Sequence, residues 1–141
     1  MNSKIIYVLV TFLACLISAS VSTAQAVDVR KNTITGTASE SIDLLIGKTY
    51  TKNVVFTTRG DQGIDIPNRM LSDIQVTKVE GIWNDFQLPG KLVYSVLMNG
   101  KEGIVTLEKN ATDTSLIIDT TGSSPDGVKR KFIIDKVKVN N

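Results

Sequence analysis

From residue 27 onward the chain offers short β-rich runs separated by turn residues, and no stretch of helical periodicity long enough to build on. The sharpest signal is Asn99-Gly100, set between the apolar runs Leu92–Met98 and Gly103–Glu108. Both residues tolerate positive φ, which a tight two-residue hairpin turn demands. Strands are expected over Arg30–Ala38, Ile42–Ile46, Tyr50–Thr58, Ile74–Trp83, Leu92–Met98, Gly103–Glu108, Ser115–Thr120 and Lys129–Val139. Leu92, Tyr94, Val96 and Met98 alternate with a set, Val93, Ser95 and Leu97, that is itself mostly apolar, so this strand is expected to be covered on both sides. In the last strand Ile133, Val137 and Val139 share one parity and Lys136 and Lys138 the other, which predicts one dry and one wet face. Pro67-Asn68, Leu88-Pro89-Gly90, Asn110–Thr114 and Thr121–Gly127 punctuate the runs. The pattern predicts an all-β domain, an immunoglobulin-like antiparallel β-sandwich.

The first 26 residues are of another kind. Lys4 precedes an apolar run from Ile5 to Ile17, and the segment ends on Ala24-Gln25-Ala26, the order of a secretory signal peptide. The apolar run is short for a membrane span, which needs about 20 residues. Cleavage after Ala26 leaves a mature chain from Val27 with no transmembrane segment. Cys15 is the single cysteine, and a lipid anchor there is the alternative to simple cleavage. Without Cys15 the domain has no disulfide and depends on its core alone. Removing Lys4 leaves 15 basic against 14 acidic residues, too balanced for a nucleic-acid binder.

The chain has no histidine, which removes the commonest general base and most zinc sites. No G-x-S-x-G elbow or S-x-x-K motif occurs, and no spacing selects a carboxylate pair. The expectation is a non-enzyme without a cofactor. Gly60-Asp61-Gln62-Gly63-Ile64-Asp65 lacks the downstream Glu of a calcium loop and reads as a solvated turn. Trp83, Asn84, Asp85 and Phe86 combine two aromatic rings with two short polar side chains. They are ligand-contact candidates for a sugar ring, or else Trp83 and Phe86 close one end of the sandwich. Lys129-Arg130-Lys131, Lys136 and Lys138 make the last strand basic, fit either to meet an anionic surface or to discourage edge-to-edge aggregation.

The stretch Lys31-Asn32-Thr33-Ile34-Thr35-Gly36-Thr37-Ala38-Ser39-Glu40-Ser41-Ile42-Asp43-Leu44-Leu45 resembles the start of the major subunits in the colonisation-factor family of enterobacterial fimbriae, the alternate chaperone–usher pilins. The resemblance covers about 15 residues, and the Gly-Tyr-Gly pattern near a pilin C-terminus is absent. It implies a sandwich lacking one strand, which the N-terminal segment of a neighbouring subunit donates. The chain then divides into a signal peptide (1–26), a donor strand (27–39) and a sandwich domain (40–141). Ile34, Gly36 and Ala38 are the inward donor residues by that analogy. The partners implied are neighbouring subunits, a periplasmic chaperone and an outer-membrane usher, with a host glycan or protein as receptor.

Two functions follow as expectations. One is a fimbrial subunit, exported through the periplasm to the cell surface and assembled by donor-strand exchange. The other is a self-contained periplasmic or surface binding module for a glycan or protein, an inhibitor included, with residues 30–38 as an ordinary first strand.

Overall fold

The computed structural model describes residues 26–66 and 74–140. The expected signal segment, Ala26 apart, with Cys15, and the Pro67-Asn68 punctuation lie outside them. Among the described residues every regular element is a strand: β1 (Thr33–Asp43), β2 (Lys48–Arg59), β3 (Ile64–Asp65), β4 (Ile74–Ile82), β5 (Gly90–Met98), β6 (Lys101–Lys109), β7 (Thr114–Asp119) and β8 (Lys129–Asn140). The strands form one antiparallel sheet in the order β3-β2-β1-β8-β7-β6-β5-β4. Two meanders are thus joined by a ladder between the first long strand and the last. The end strands β3 and β4 lie against each other, so the sheet curls nearly closed around one core. The all-β fold read from the sequence is present in this sandwich-like, barrel-like form. Among the described residues no helix is long and apolar enough to cross a membrane.

The turns follow local chemistry. Asn99 (φ 51°) and Gly100 (φ 77°) both adopt the left-handed conformation and join β5 to β6, as expected of a type I′ turn. The expected strand Ile42–Ile46 is not a separate element. Ile42 and Asp43 finish β1, and residues 44–47 form a turn. One Asp43 carboxylate oxygen accepts the Leu45 N–H (3.0 Å) and the Ile46 N–H (3.4 Å). Gly47, at φ 69°, then returns its N–H to the Asp43 carbonyl (2.8 Å). A short acidic side chain offering acceptors to the next N–H groups outweighs the apolar character of Leu44, Leu45 and Ile46.

The core takes alternate residues from six strands, and Ile64 of β3 joins them. Leu92, Tyr94, Val96 and Met98 of β5 face Val105 and Leu107 of β6, and Leu116, Ile118, Phe132, Ile134, Ile34, Ala38, Val54 and Phe56 continue the lining. The outer side of β5 is only half covered, since Val93, Ser95 and Leu97 are intermediate in exposure. The last strand departs from its expected parity. Phe132 and Ile134 are buried, whereas Ile133 lies half-exposed on the other face. An extra residue, Asp135, interrupts the β1–β8 register, with Ala38 paired to Ile134 and Thr37 to Lys136. A bulge of this kind shifts the alternation by one. It brings Val137 opposite Gly36 and Val139 opposite Ile34.

Candidate functional site

β1 is the element that the fimbrial resemblance singles out, and its surroundings define the first candidate site. It lies between β2 and β8, antiparallel to both and hydrogen-bonded to both. Ile34 (1% exposed), Gly36 and Ala38 (0%) point into the core, while Thr33, Thr35 and Thr37 point outward. Gly36 sits opposite Phe56, whose ring occupies the space a side chain would need: a Cβ on Gly36 would lie 2.2 Å from Phe56 Cε1. On the outer side Thr35 Oγ1 shares a hydrogen bond with Thr57 Oγ1 (3.3 Å) and accepts one from Asn140 Nδ2 (3.0 Å).

The ladders on both sides of β1 break at the same point. Register shifts at Ser39 separate residues 33–38 from residues 40–43 against β2 and β8 alike. The Ser39 N–H, released from the ladder, donates to Asp135 Oδ2 (2.7 Å). Hydrogen bonds from Ser39 hold the Asp135 carboxyl below the usual carboxylate range. Withdrawing residues 33–38 would leave the facing edges of β2 and β8 unpaired over Phe56, Val54, Ile134 and Val137.

The aromatic candidates sit at the end of the sheet where β1 begins. Trp83 is 2% exposed. Its ring stacks on Phe86, centroid to centroid 5.3 Å, and a Cβ added to Gly90 would lie 2.3 Å from it, so both ring faces are occupied by protein. Trp83 Nε1–H donates to the carbonyls of Asp85 and Leu88, 3.0 Å each. The N-terminal segment is clasped onto this loop, with the Val29 N–H on the Trp83 carbonyl (3.0 Å) and the Phe86 N–H on the Val27 carbonyl (2.9 Å). Lys109 caps the cluster, its Nζ donating to the Phe86 carbonyl (3.1 Å). Of the four candidates, Trp83 is enclosed, Asp85 and Phe86 are partly exposed and Asn84 is exposed.

The basic strand is mostly compensated. Lys129 pairs with Asp119 (2.9 Å), Arg130 with Asp43 (3.5 Å) and Lys131 with Asp113 (3.0 Å). Hydrogen bonds from Thr121 and Lys129 lower the Asp119 carboxyl to about 2, and the one from Lys131 lowers Asp113. Lys136 and Lys138 remain exposed on the outer face. In the Gly60–Asp65 turn Asp61 faces Arg30 (3.8 Å), and among the described residues no three His, Cys, Asp or Glu gather to hold a metal.

Two features went unread in the sequence. One is an open groove of about 710 Å³ over the outer face of β5 and β6, lined by Leu97, Ile104, Ser95, Glu102, Asp119 and Thr121. Its wall is the 120–123 segment, tied down by Ser123 Oγ–H on the Glu102 carbonyl. The other is the apolar β1–β2 turn, which Asp43 followed by Gly47 would have marked as a turn.

No known family model, curated protein or solved structure matches the chain. The resemblance at residues 31–45 stands on those residues alone.

Proposed function

We propose that this chain is a structural subunit of a surface fibre whose first strand passes to a neighbouring copy. The observation that carries the reading is the placement of residues 33–38, which fill a slot between β2 and β8 through two backbone ladders and three inward residues. Nothing in that pairing depends on the strand's belonging to the same chain. An identical segment from another subunit meets the same edges and the same pocket at Phe56. Head-to-tail exchange does not close, so it propagates as a filament. In the isolated chain the slot is filled internally, so exchange competes with self-closure: refolding at high concentration favours exchange in vitro, and a partner that keeps β1 out until the next subunit arrives favours it in the cell. A periplasmic chaperone and an outer-membrane usher are the partners proposed for that step, and a host glycan or protein is the proposed receptor.

The test is the native mass of the mature protein after refolding at high concentration, beside unheated and heated denaturing gels. A ladder of multimers that collapses only on heating, and that Ile34→Asp abolishes, is the expected result. A monomer at every concentration, refolded or native, refutes it.

A second reading is favoured by the same cis pairing and by the groove over β5 and β6: an exported, self-contained binding module. Under it the ligand meets Leu97, Ile104, Glu102 and Asp119, since the faces of Trp83 are taken. Ile104→Asp then weakens ligand capture in a glycan or peptide screen without altering the melting temperature.

A further inference from the structure

The β1–β2 turn is apolar where a hairpin tip is ordinarily polar. Leu44, Leu45 and Ile46 are 41, 56 and 68% exposed. They are contiguous and form the tip itself, so burying them requires no rearrangement of the sheet.

The backbone of this tip is already provided for. The Leu44 N–H donates to the Lys129 carbonyl (2.8 Å), those of Leu45 and Ile46 to the Asp43 carboxylate, and that of Gly47 to the Asp43 carbonyl. All four donors of the turn are satisfied inside the protein. A segment entering a medium poor in hydrogen-bond acceptors must meet this condition, because a bare N–H there is strongly unfavourable.

Directly behind the tip the chemistry changes. Lys48 Nζ lies 5.3 Å from the centroid of the Tyr50 ring, and the Arg130 guanidinium lies 5.2 Å from it. Arg130 is shared with Asp43 at 3.5 Å, and its Nε has no partner among the described residues. Lys48 joins no ion pair among the described residues. The Asp43 carboxylate at the root of the tip is taken up by two N–H groups and Arg130.

We propose that this hairpin is an interfacial anchor for an anionic phospholipid surface. Leu44, Leu45 and Ile46 enter the boundary between headgroups and acyl chains, Tyr50 sits at headgroup level, and Lys48 and Arg130 face lipid phosphate. An aliphatic tip backed by Lys48 and Tyr50 on the same hairpin, with Arg130 beside them on the neighbouring β8, puts apolar groups foremost and the cations and aromatic ring at headgroup level. The carbonyls of the turn stay in the hydrated zone, so the insertion is shallow. This inference does not rest on strand exchange, since the turn lies outside residues 33–38.

The experiment is flotation of the purified mature protein with phosphatidylcholine vesicles, with and without phosphatidylglycerol, at low and high salt. The protein is expected to float with the anionic vesicles at low salt and to be released by salt. Leu45→Ser/Ile46→Ser should lower the bound fraction about tenfold, and Lys48→Glu should weaken binding to anionic vesicles alone. Both variants are expected to melt like the parent, which separates lost anchoring from misfolding. No flotation of the parent, or equal flotation of the serine variant, overturns the proposal. So does a concentration-dependent dimer, formed without lipid and abolished by the serine pair, because the tip's occupant is then a second copy.

Discussion

Replacing Gly36 by Ala tests the fit of β1 in its slot more directly than any other single change. In an ordinary strand the substitution is favourable, by about 0.4–1 kcal/mol, because alanine has less backbone entropy to lose. Here the added methyl would lie 2.2 Å from Phe56 Cε1 and Cζ and 3.1 Å from Cε2. Carbon atoms pack at about 3.5–4.0 Å, so the ring or the strand must give by over an ångström. Phe56 is 1% exposed and enclosed by the core, with no open space to swing into. Overpacking of this kind costs about 1–3 kcal/mol. The sign is therefore opposite to that of an unconstrained strand glycine, and a domain of this size should melt roughly 5–15 °C lower. Thermal and urea unfolding followed by circular dichroism give the number. Phe56→Leu supplies the control, because it removes the ring atoms the methyl meets. In that background Gly36→Ala should cost less than about 0.5 kcal/mol, a large coupling in a double-mutant cycle. A Gly36→Ala protein as stable as the parent, or strictly additive effects, would refute the account of the slot.

Further expectations concern the interior and its titration. Thr58 is fully buried with a hydroxyl that meets no partner among the described residues, so Thr58→Val should raise stability by about 1 kcal/mol in the same melts. Asp119 is lowered to about 2 by Thr121 and Lys129, so its contribution is complete above the unfolded carboxylate value near 4 and is lost as pH falls toward 2. Asp119→Asn should be less stable at neutral pH and show a flatter acid limb in urea midpoints taken from pH 6 to 2. Burial pushes the Tyr94 hydroxyl up to about 12, with Asp61 adding to it, so stability should fall as pH rises from 10 to 12 and Tyr94→Phe should remove that step. Trp83→Ala should cost about 3–5 kcal/mol, read as loss of the cooperative melt, because it empties the stack on Phe86 and Gly90.

The strands were legible where alternation and turn chemistry agreed. Asn99-Gly100 fixed one hairpin outright, and Ile34, Gly36 and Ala38, named as inward by analogy, are buried residues of β1. Reading failed where one residue outvoted its neighbours. Asp43 turned an apolar run into a tip by capturing two N–H groups, and Asp135 added a bulge that moved Ile133 off the core face. Neither effect has a hydrophobic signature. The groove over β5 and β6 was illegible for another reason: Leu97 and Ile104 are brought beside Thr121 only by the pairing of β6 with β7 and the return of the 120–123 segment. The aromatic pair was found as a pair, but composition does not tell an open ring face from one closed by a glycine backbone.

The ladder between β1 and β8 also sets an order in time. Residues near opposite ends of the described chain, such as Ile34 and Val139, are direct partners. The loop they close is the longest in the domain, and contacts of such span form late and slowly. The two meanders can each assemble from neighbours in sequence, but their joining waits for the final strand to emerge. Until the two join, the edges of β1 and β8 stand open to any strand nearby. The folding chain therefore passes through an interval of edge exposure, and its concentration during that interval decides between self-closure and capture by another chain.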